Sequence, residues 1–273
     1  MSTQVPVSTP VPMITPVAGP VRLGRVVRSE WTKFRSLRST WWSIGIAVLV
    51  AIGVGVLASA DAAGNPAASV VPATVASRSQ LGGLISQLVV GVLAVLFISG
   101  EYGTGMVRSS MIAVPRRLPV LWAKLGVFVA TMLPVTLVSS LAAFALGQVF
   151  WRGHGRPAVG LTDPGVAQVV LGAAVCIVLL GACAMAIGTL IRNTAGGITA
   201  TVGLYFVLPI IAAQMPQRIA EASRFLPSNA SGAVWHASLS PVSMTPADGF
   251  ILLCVYTVVL SAAAAWRLRR GDV

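Results

Sequence analysis

The sequence predicts an all-α integral membrane protein, in which six transmembrane helices follow an amphipathic helix that lies in the membrane interface. Hydrophobic residues make up 56% of the 273 residues and charged residues only 10%, below the roughly 25% that is usual in soluble domains. The charges gather in short clusters between long uncharged stretches. A basic amphipathic segment comes before the first of these stretches. Together these observations indicate repeated crossings of a bilayer.

The amino-terminal region divides into a tail and a helix. Residues 1–20 contain five prolines among Ser, Thr and Val, so we expect a disordered cytoplasmic tail. Residues 21–41 have helical periodicity, with an apolar face and a basic face. The apolar face consists of Leu23, Val26, Val27, Trp31, Phe34, Leu37 and Trp41, and the basic face of Arg22, Arg25, Arg28, Lys33 and Arg35. Such a helix is expected in the interface, with its aromatic rings at the acyl boundary.

Glu30 interrupts this pattern, because the helical wheel places it within the apolar arc. One interpretation is a local pair with Lys33, or a side chain that reaches past its apolar neighbours to the headgroups. The other is a pair across helices or chains with a cytoplasmic arginine such as Arg108. The sequence leaves both interpretations open.

Six uncharged stretches are long enough to cross about 30 Å of hydrocarbon at about 1.5 Å per residue. They comprise residues 42–60, 81–100, 125–150, 166–191, 195–213 and 250–266, and they form one transmembrane domain over residues 42–270. None contains Lys, Arg, Asp or Glu, each of which costs about 2.5 to 3.5 kcal/mol at the centre of a membrane. Pro134 and Pro209 are expected to kink the third and fifth spans.

The distribution of basic residues predicts the orientation. Of the 19 Lys and Arg residues, fourteen lie on the side of the amino terminus. The other five are Arg78, Arg152, Arg156, Arg218 and Arg224. Because positive charge accumulates on the cytoplasmic side, both termini are expected there. The strong bias toward Arg is typical of a bacterial genome of high GC content, so we expect a multi-pass protein of the bacterial cell membrane.

Several function classes find no support in the residues. The basic residues flank apolar stretches instead of forming a stripe with interleaved aromatics, which argues against nucleic-acid binding. No phosphate-binding loop, carboxylate pair or nucleophile with a base is recognisable, and we predict neither an enzyme nor a bound cofactor. His154 and His236 stand in the outer loops without a metal-binding motif. Any energy for transport would therefore come from a partner.

Two segments resemble bacterial type-2 (ABC-2 type) ABC transporter permeases. The first runs from Arg28 to Trp42, and the second from Glu101 through Arg117 to Lys124. A weaker similarity covers Arg224 to Ala230, and the likeness in span order extends over residues 21–270. Gly103 stands where relatives often have a polar or basic residue.

This resemblance implies a transmembrane permease subunit of an ATP-driven exporter. Residues 21–41 would be its connecting helix, with Glu30, Trp31, Lys33, Phe34, Arg35 and Arg38 as the principal residues. A coupling helix against a separate ATPase subunit would involve Glu101, Tyr102, Thr104, Gly105, Met106, Arg108, Arg116 and Arg117. The ATPase would bind ATP and magnesium, and a homodimer or paired permease would enclose the substrate path. Residues 214–249 resemble the family's partly re-entrant outer loop, although a plain surface loop is also compatible with them.

Two other functions remain open from the sequence. The chain could be a membrane anchor or regulatory subunit with no transport path, or an unrecognised intramembrane enzyme. A neighbouring gene for an ATPase with a phosphate-binding loop would favour the permease.

Overall fold

Six long apolar helices confirm the predicted fold class of a multi-helix membrane protein. The computed structural model describes residues 23–103, 117–236 and 244–270, apart from the side chains of residues 101–103 and 117. All the regular elements within these ranges are helical. They are α1 (Leu23–Ser36), α2 (Arg38–Gly64), α3 (Pro72–Ser79), α4 (Gly83–Gly103), α5 (Arg117–Gly153), α6 (Val166–Ile191), α7 (Thr194–Ala213), α8 (Gln217–Ala222), a 3-10 turn (Ser223–Phe225), α9 (Pro227–Val234) and α10 (Pro246–Arg270). Helices α2, α4, α5, α6, α7 and α10 are long and apolar enough to cross a membrane.

The boundary between the connecting helix and the first span differs from the prediction. Leu37 has extended backbone angles, φ −84° and ψ 116°, which separate α1 from α2. The indole nitrogen of Trp41 donates a hydrogen bond to the carbonyl of Arg35 over 3.0 Å and so holds the corner. Residues 21–41 are therefore not one helix, and Arg38 belongs to the first spanning helix. Periodicity could not show this break, because a corner of one residue hardly changes the positions on a helical wheel.

Helix α6 is the centre of the bundle. It packs against α4, α5, α9 and α10. Its most apolar stretch is 72% buried, compared with 22% in each of α2, α7 and α10. Gly181 and Gly188 allow the close approach of Phe128 on α5 and Ile98 on α4, because a Cβ at either glycine would collide with these side chains. The peripheral helices expose apolar side chains, which suits them to contact with lipid or with another subunit.

The two prolines within spans are accommodated differently. Helix α5 continues through Pro134. In α7 a π-helical turn, Gly203–Val207, comes immediately before Pro209. Proline removes one backbone donor and its ring crowds the carbonyl of the preceding turn, so a wider turn at this point relieves the conflict.

The segment between α7 and α10 returns into the bundle. Every residue of α9 is buried, and the helix packs against α6 and α10. The hydroxyl of Tyr256 on α10 donates to the carbonyl of Phe225 over 2.9 Å, and the side-chain amide of Asn229 donates to the carbonyl of Ser223 over 2.9 Å. The α9 part of this segment is thus inserted into the bundle, whereas most of α8 is exposed at its surface.

The packing of α2 gives a test of this arrangement with two glycines on one helix. A Cβ at Gly55 would overlap the carbonyl oxygen of Ser79, whereas a Cβ at Gly53 meets no atom within 4 Å. We expect Gly55→Ala to destabilise the protein by about 1 to 3 kcal/mol through overpacking. Gly53→Ala should be neutral or stabilising by up to about 1 kcal/mol, because alanine favours the helix. Thermal unfolding in detergent measures both, and equal effects would contradict the close approach of α2 and Ser79.

Candidate functional site

Helix α1 lies against the bundle with a narrow face that includes its one acidic residue. Val26, Glu30 and Phe34 are buried, and their spacing of four places them on a single side of the helix. Leu23, Val27 and Trp31 are exposed. One part of the apolar face predicted from the sequence therefore packs against the protein, and the other part is exposed outside the bundle. The prediction that Phe34 lies at the acyl boundary is wrong, since only 1% of this residue is exposed.

Glu30 forms an ion cluster with two lysines. Its Oε1 lies 2.8 Å from Nζ of Lys33, and its Oε2 lies 2.7 Å from Nζ of Lys124 on α5. The side chains of Glu30 and Lys124 are 2% and 3% exposed, while that of Lys33 is 37% exposed. The local pair with Lys33 is confirmed. A pair across helices also exists, and the cation that the structure shows in it is Lys124 on α5. The alternative partner, Arg108, lies outside the described residues.

Two phenylalanines complete the surroundings of this cluster. The ammonium of Lys124 lies 4.5 Å from the ring centroid of Phe97 on α4 and 3.4 Å from the carbonyl oxygen of that residue. The rings of Phe34 and Phe97 meet edge to face, with centroids 4.9 Å apart and an interplanar angle of 88°. We call Glu30, Lys33, Phe34, Phe97 and Lys124 the Glu30 junction. It joins α1, α4 and α5.

The environment of Lys124 compensates for the loss of water around its charge. An ammonium has three donors and no acceptor, and a buried one is costly unless it is paired and hydrogen-bonded. The carboxylate of Glu30, the carbonyl of Phe97 and the negative face of the Phe97 ring all lie within reach of this ammonium. The arrangement is that of an electrostatic anchor between helices.

Along α4 and α5, the junction lies one to two helical turns from residues that were predicted to couple to an ATPase. Phe97 precedes Glu101 by one turn on α4, and Lys124 follows Arg117 by about two turns on α5. Of the predicted coupling residues, Thr104, Gly105, Met106, Arg108 and Arg116 lie outside the described residues. The backbones of Glu101 and Tyr102 continue α4, and that of Arg117 begins α5.

The remaining connecting-helix residues lie around the junction without entering it. Trp31 is 42% exposed and Arg35 is exposed, with its carbonyl engaged by Trp41. Arg38 is exposed on α2.

Sequence reasoning missed Phe97 and Lys124 as site residues. The sequence did contain one signal for Lys124, because only two of the basic residues are lysines. In the structure both of these lysines contact Glu30. No comparable signal marked Phe97, which is one of many apolar residues in its span.

No protein-family model matches the sequence. A search of curated proteins also gives no significant match.

The Glu30 junction predicts distinct effects for its two cations. Lys124→Met should cost about 3 to 5 kcal/mol, because it leaves a buried carboxylate with a single partner. Lys33→Met also leaves Glu30 with one partner, but it should cost less than Lys124→Met, because the side chain of Lys33 is 37% exposed and water screens its charge. The double variant Glu30→Leu/Lys124→Met should be more stable than either corresponding single variant. Denaturation of the purified variants in detergent checks this order, and additive effects of Glu30→Leu and Lys124→Met would contradict direct pairing.

Proposed function

We propose that this chain is the transmembrane permease subunit of an ATP-driven ABC exporter, coupled to a separate ATPase subunit. The observation that supports the proposal is the Glu30 junction, which joins α1 to the two helices, α4 and α5, that come before and after residues 104–116 in the chain. A partner that presses on this loop would act on α4 and α5 together, and on α1 through them.

The proposed mechanism is mechanical. Helices transmit displacement along their axes, and a close-packed interface changes between discrete arrangements more readily than it deforms. ATP and magnesium would bind in the ATPase, whose closure would move the loop of residues 104–116. Two copies of this chain, or this chain and a related permease, would then alternate the access of a substrate path between them.

The exposed spans are compatible with such pairing. Phe206, Leu208 and Ile211 on α7 are exposed apolar residues, and the π-helical turn of this helix lies beside α9. Turns of this kind are frequent at functional sites because they interrupt the regular helical ladder.

The proposal includes an orientation in the bacterial cell membrane, with both termini in the cytoplasm. Single cysteines in place of Arg78 before α4 and Arg28 on α1 provide a test, because both positions are exposed. The native Cys176, Cys183 and Cys254 are first replaced by serine. In intact cells an impermeant maleimide should label Arg78→Cys and leave Arg28→Cys unlabelled, while lysed cells should label both. Ready labelling of Arg28→Cys in intact cells would contradict the orientation.

The partner is tested by purification of the tagged full chain from its source cells in mild detergent. We expect it to co-purify with a protein that contains a phosphate-binding loop and hydrolyses ATP. Glu101→Ala and Arg108→Ala should uncouple hydrolysis from export while the chain still inserts, because truncation of charge-assisted contacts at an interface costs about 2 to 5 kcal/mol. Thr32→Asp on the exposed side of α1 is the control and should preserve both activities. Stable insertion without any ATPase partner would favour an anchor or regulatory subunit.

A further inference from the structure

A groove runs along the outside of the bundle between α5 and α10. On α10 its floor follows the positions Thr257, Ser261, Ala265 and Arg269, each four residues after the last, so they form one continuous stripe. Trp122 and Leu125 on α5 and Val258, Ala262 and Trp266 on α10 form the rest of the groove. The two tryptophans are 48% and 56% exposed.

The length of this groove matches one leaflet of a bilayer. From Thr257 to Arg269 the helix rises by about 18 Å at 1.5 Å per residue. Half of a hydrocarbon core of about 30 Å is about 15 Å. An acyl chain on the small side chains of the floor would therefore place its headgroup beside Arg269. Tryptophan is enriched at this level of the membrane, where its ring meets both acyl chain and headgroup.

The charge at the end of the groove favours an anionic occupant. Arg267, Arg269 and Arg270 are all exposed in the last turn of α10. Among the acidic side chains that the structure describes, the one at this end of the bundle is that of Glu30, and it is occupied by Lys33 and Lys124. A phosphate-containing anionic headgroup would supply the opposite charge at this surface.

A second copy of the chain suits the groove less well. A symmetric contact through α10 would place the three arginines of one copy close to those of the other. Like charges in an interface are unfavourable by several kcal/mol. The small residues alone would also permit helix packing, so the arginines decide between the two occupants.

We propose that the groove between α5 and α10 binds one anionic phospholipid from the leaflet in which α10 ends. The acyl chain lies on Ser261, Ala262 and Ala265, between the tryptophans, and the headgroup contacts Arg269. This site does not depend on the proposed transport function.

The test uses the full chain, purified in detergent and depleted of lipid. Phosphatidylglycerol and phosphatidylcholine with the same acyl chains are added separately, and retention is measured by native mass spectrometry. We expect one phosphatidylglycerol per chain to bind more tightly than phosphatidylcholine. Arg269→Gln should weaken this binding about fivefold, the affinity that one basic residue gains at an anionic lipid surface. Ala262→Phe should abolish it by filling the groove.

Matched variants on the same helix provide the controls. Arg267→Gln removes the same charge at a position that does not line the groove, and Val259→Phe adds the same ring at an exposed position outside the groove lining. Val259→Phe should bind phosphatidylglycerol as the parent does, and Arg267→Gln should weaken the binding less than Arg269→Gln, because Arg267 contributes only to the general positive charge of this surface. Equal retention of the two lipids, or equal effects of Arg267→Gln and Arg269→Gln, would overturn the site. A dimer that dissociates in Ala262→Phe would assign the groove to a second copy and would also overturn it.

Discussion

The burial of one carboxylate between two ammonium groups determines how the amino-terminal helix meets the rest of the protein. A helix of 14 residues with several basic side chains is marginal by itself, because nucleation is costly and short helices gain few hydrogen bonds. Glu30 fixes the helix against the bundle, because its buried carboxylate is compensated by the ammonium of Lys124 on α5, 2.7 Å away. Phe34 adds apolar contact beside the ions. The corner at Leu37 follows, because α1 must leave the axis of α2 to reach α5.

A second set of polar contacts holds α5 just beyond its midpoint. The hydroxyl of Ser140 lies 2.7 Å from Oε1 of Gln80 and 2.6 Å from the carbonyl oxygen of Val170 on α6, and the amide of Gln80 donates to the carbonyl of Ser140. Inside a bilayer no water is present to replace these hydrogen bonds. Breaking them would therefore be costly, and they hold α5 in place. Helix α5 is therefore attached by ions near its amino-terminal end and by neutral hydrogen bonds near its middle.

The six spans could be predicted because a charge inside the bilayer is costly, so uncharged stretches identify them without any tertiary information. Their ends could not be predicted in this way. Lys124 was assigned to a connection because it is charged, yet it lies within α5, where Glu30 compensates for its charge. The wheel did show that Glu30 is misplaced on an apolar face. It could not name the partner, because that depends on the direction in which the chain turns at Leu37, between α1 and α2.

Helix α5 has different neighbours on opposite sides near its amino-terminal end. Trp122 and Leu125 line the groove shared with α10, while Lys124 points to Glu30. At about 100° per residue, Lys124 stands about 200° from Trp122, so the two sides are nearly opposite. A helix is stiff over this distance, and a shift that improves packing in the groove would lengthen or shorten the contact with Glu30. Because the energy of a buried ion pair depends steeply on its geometry, the Glu30 junction limits how far α5 can move without a compensating movement of α1.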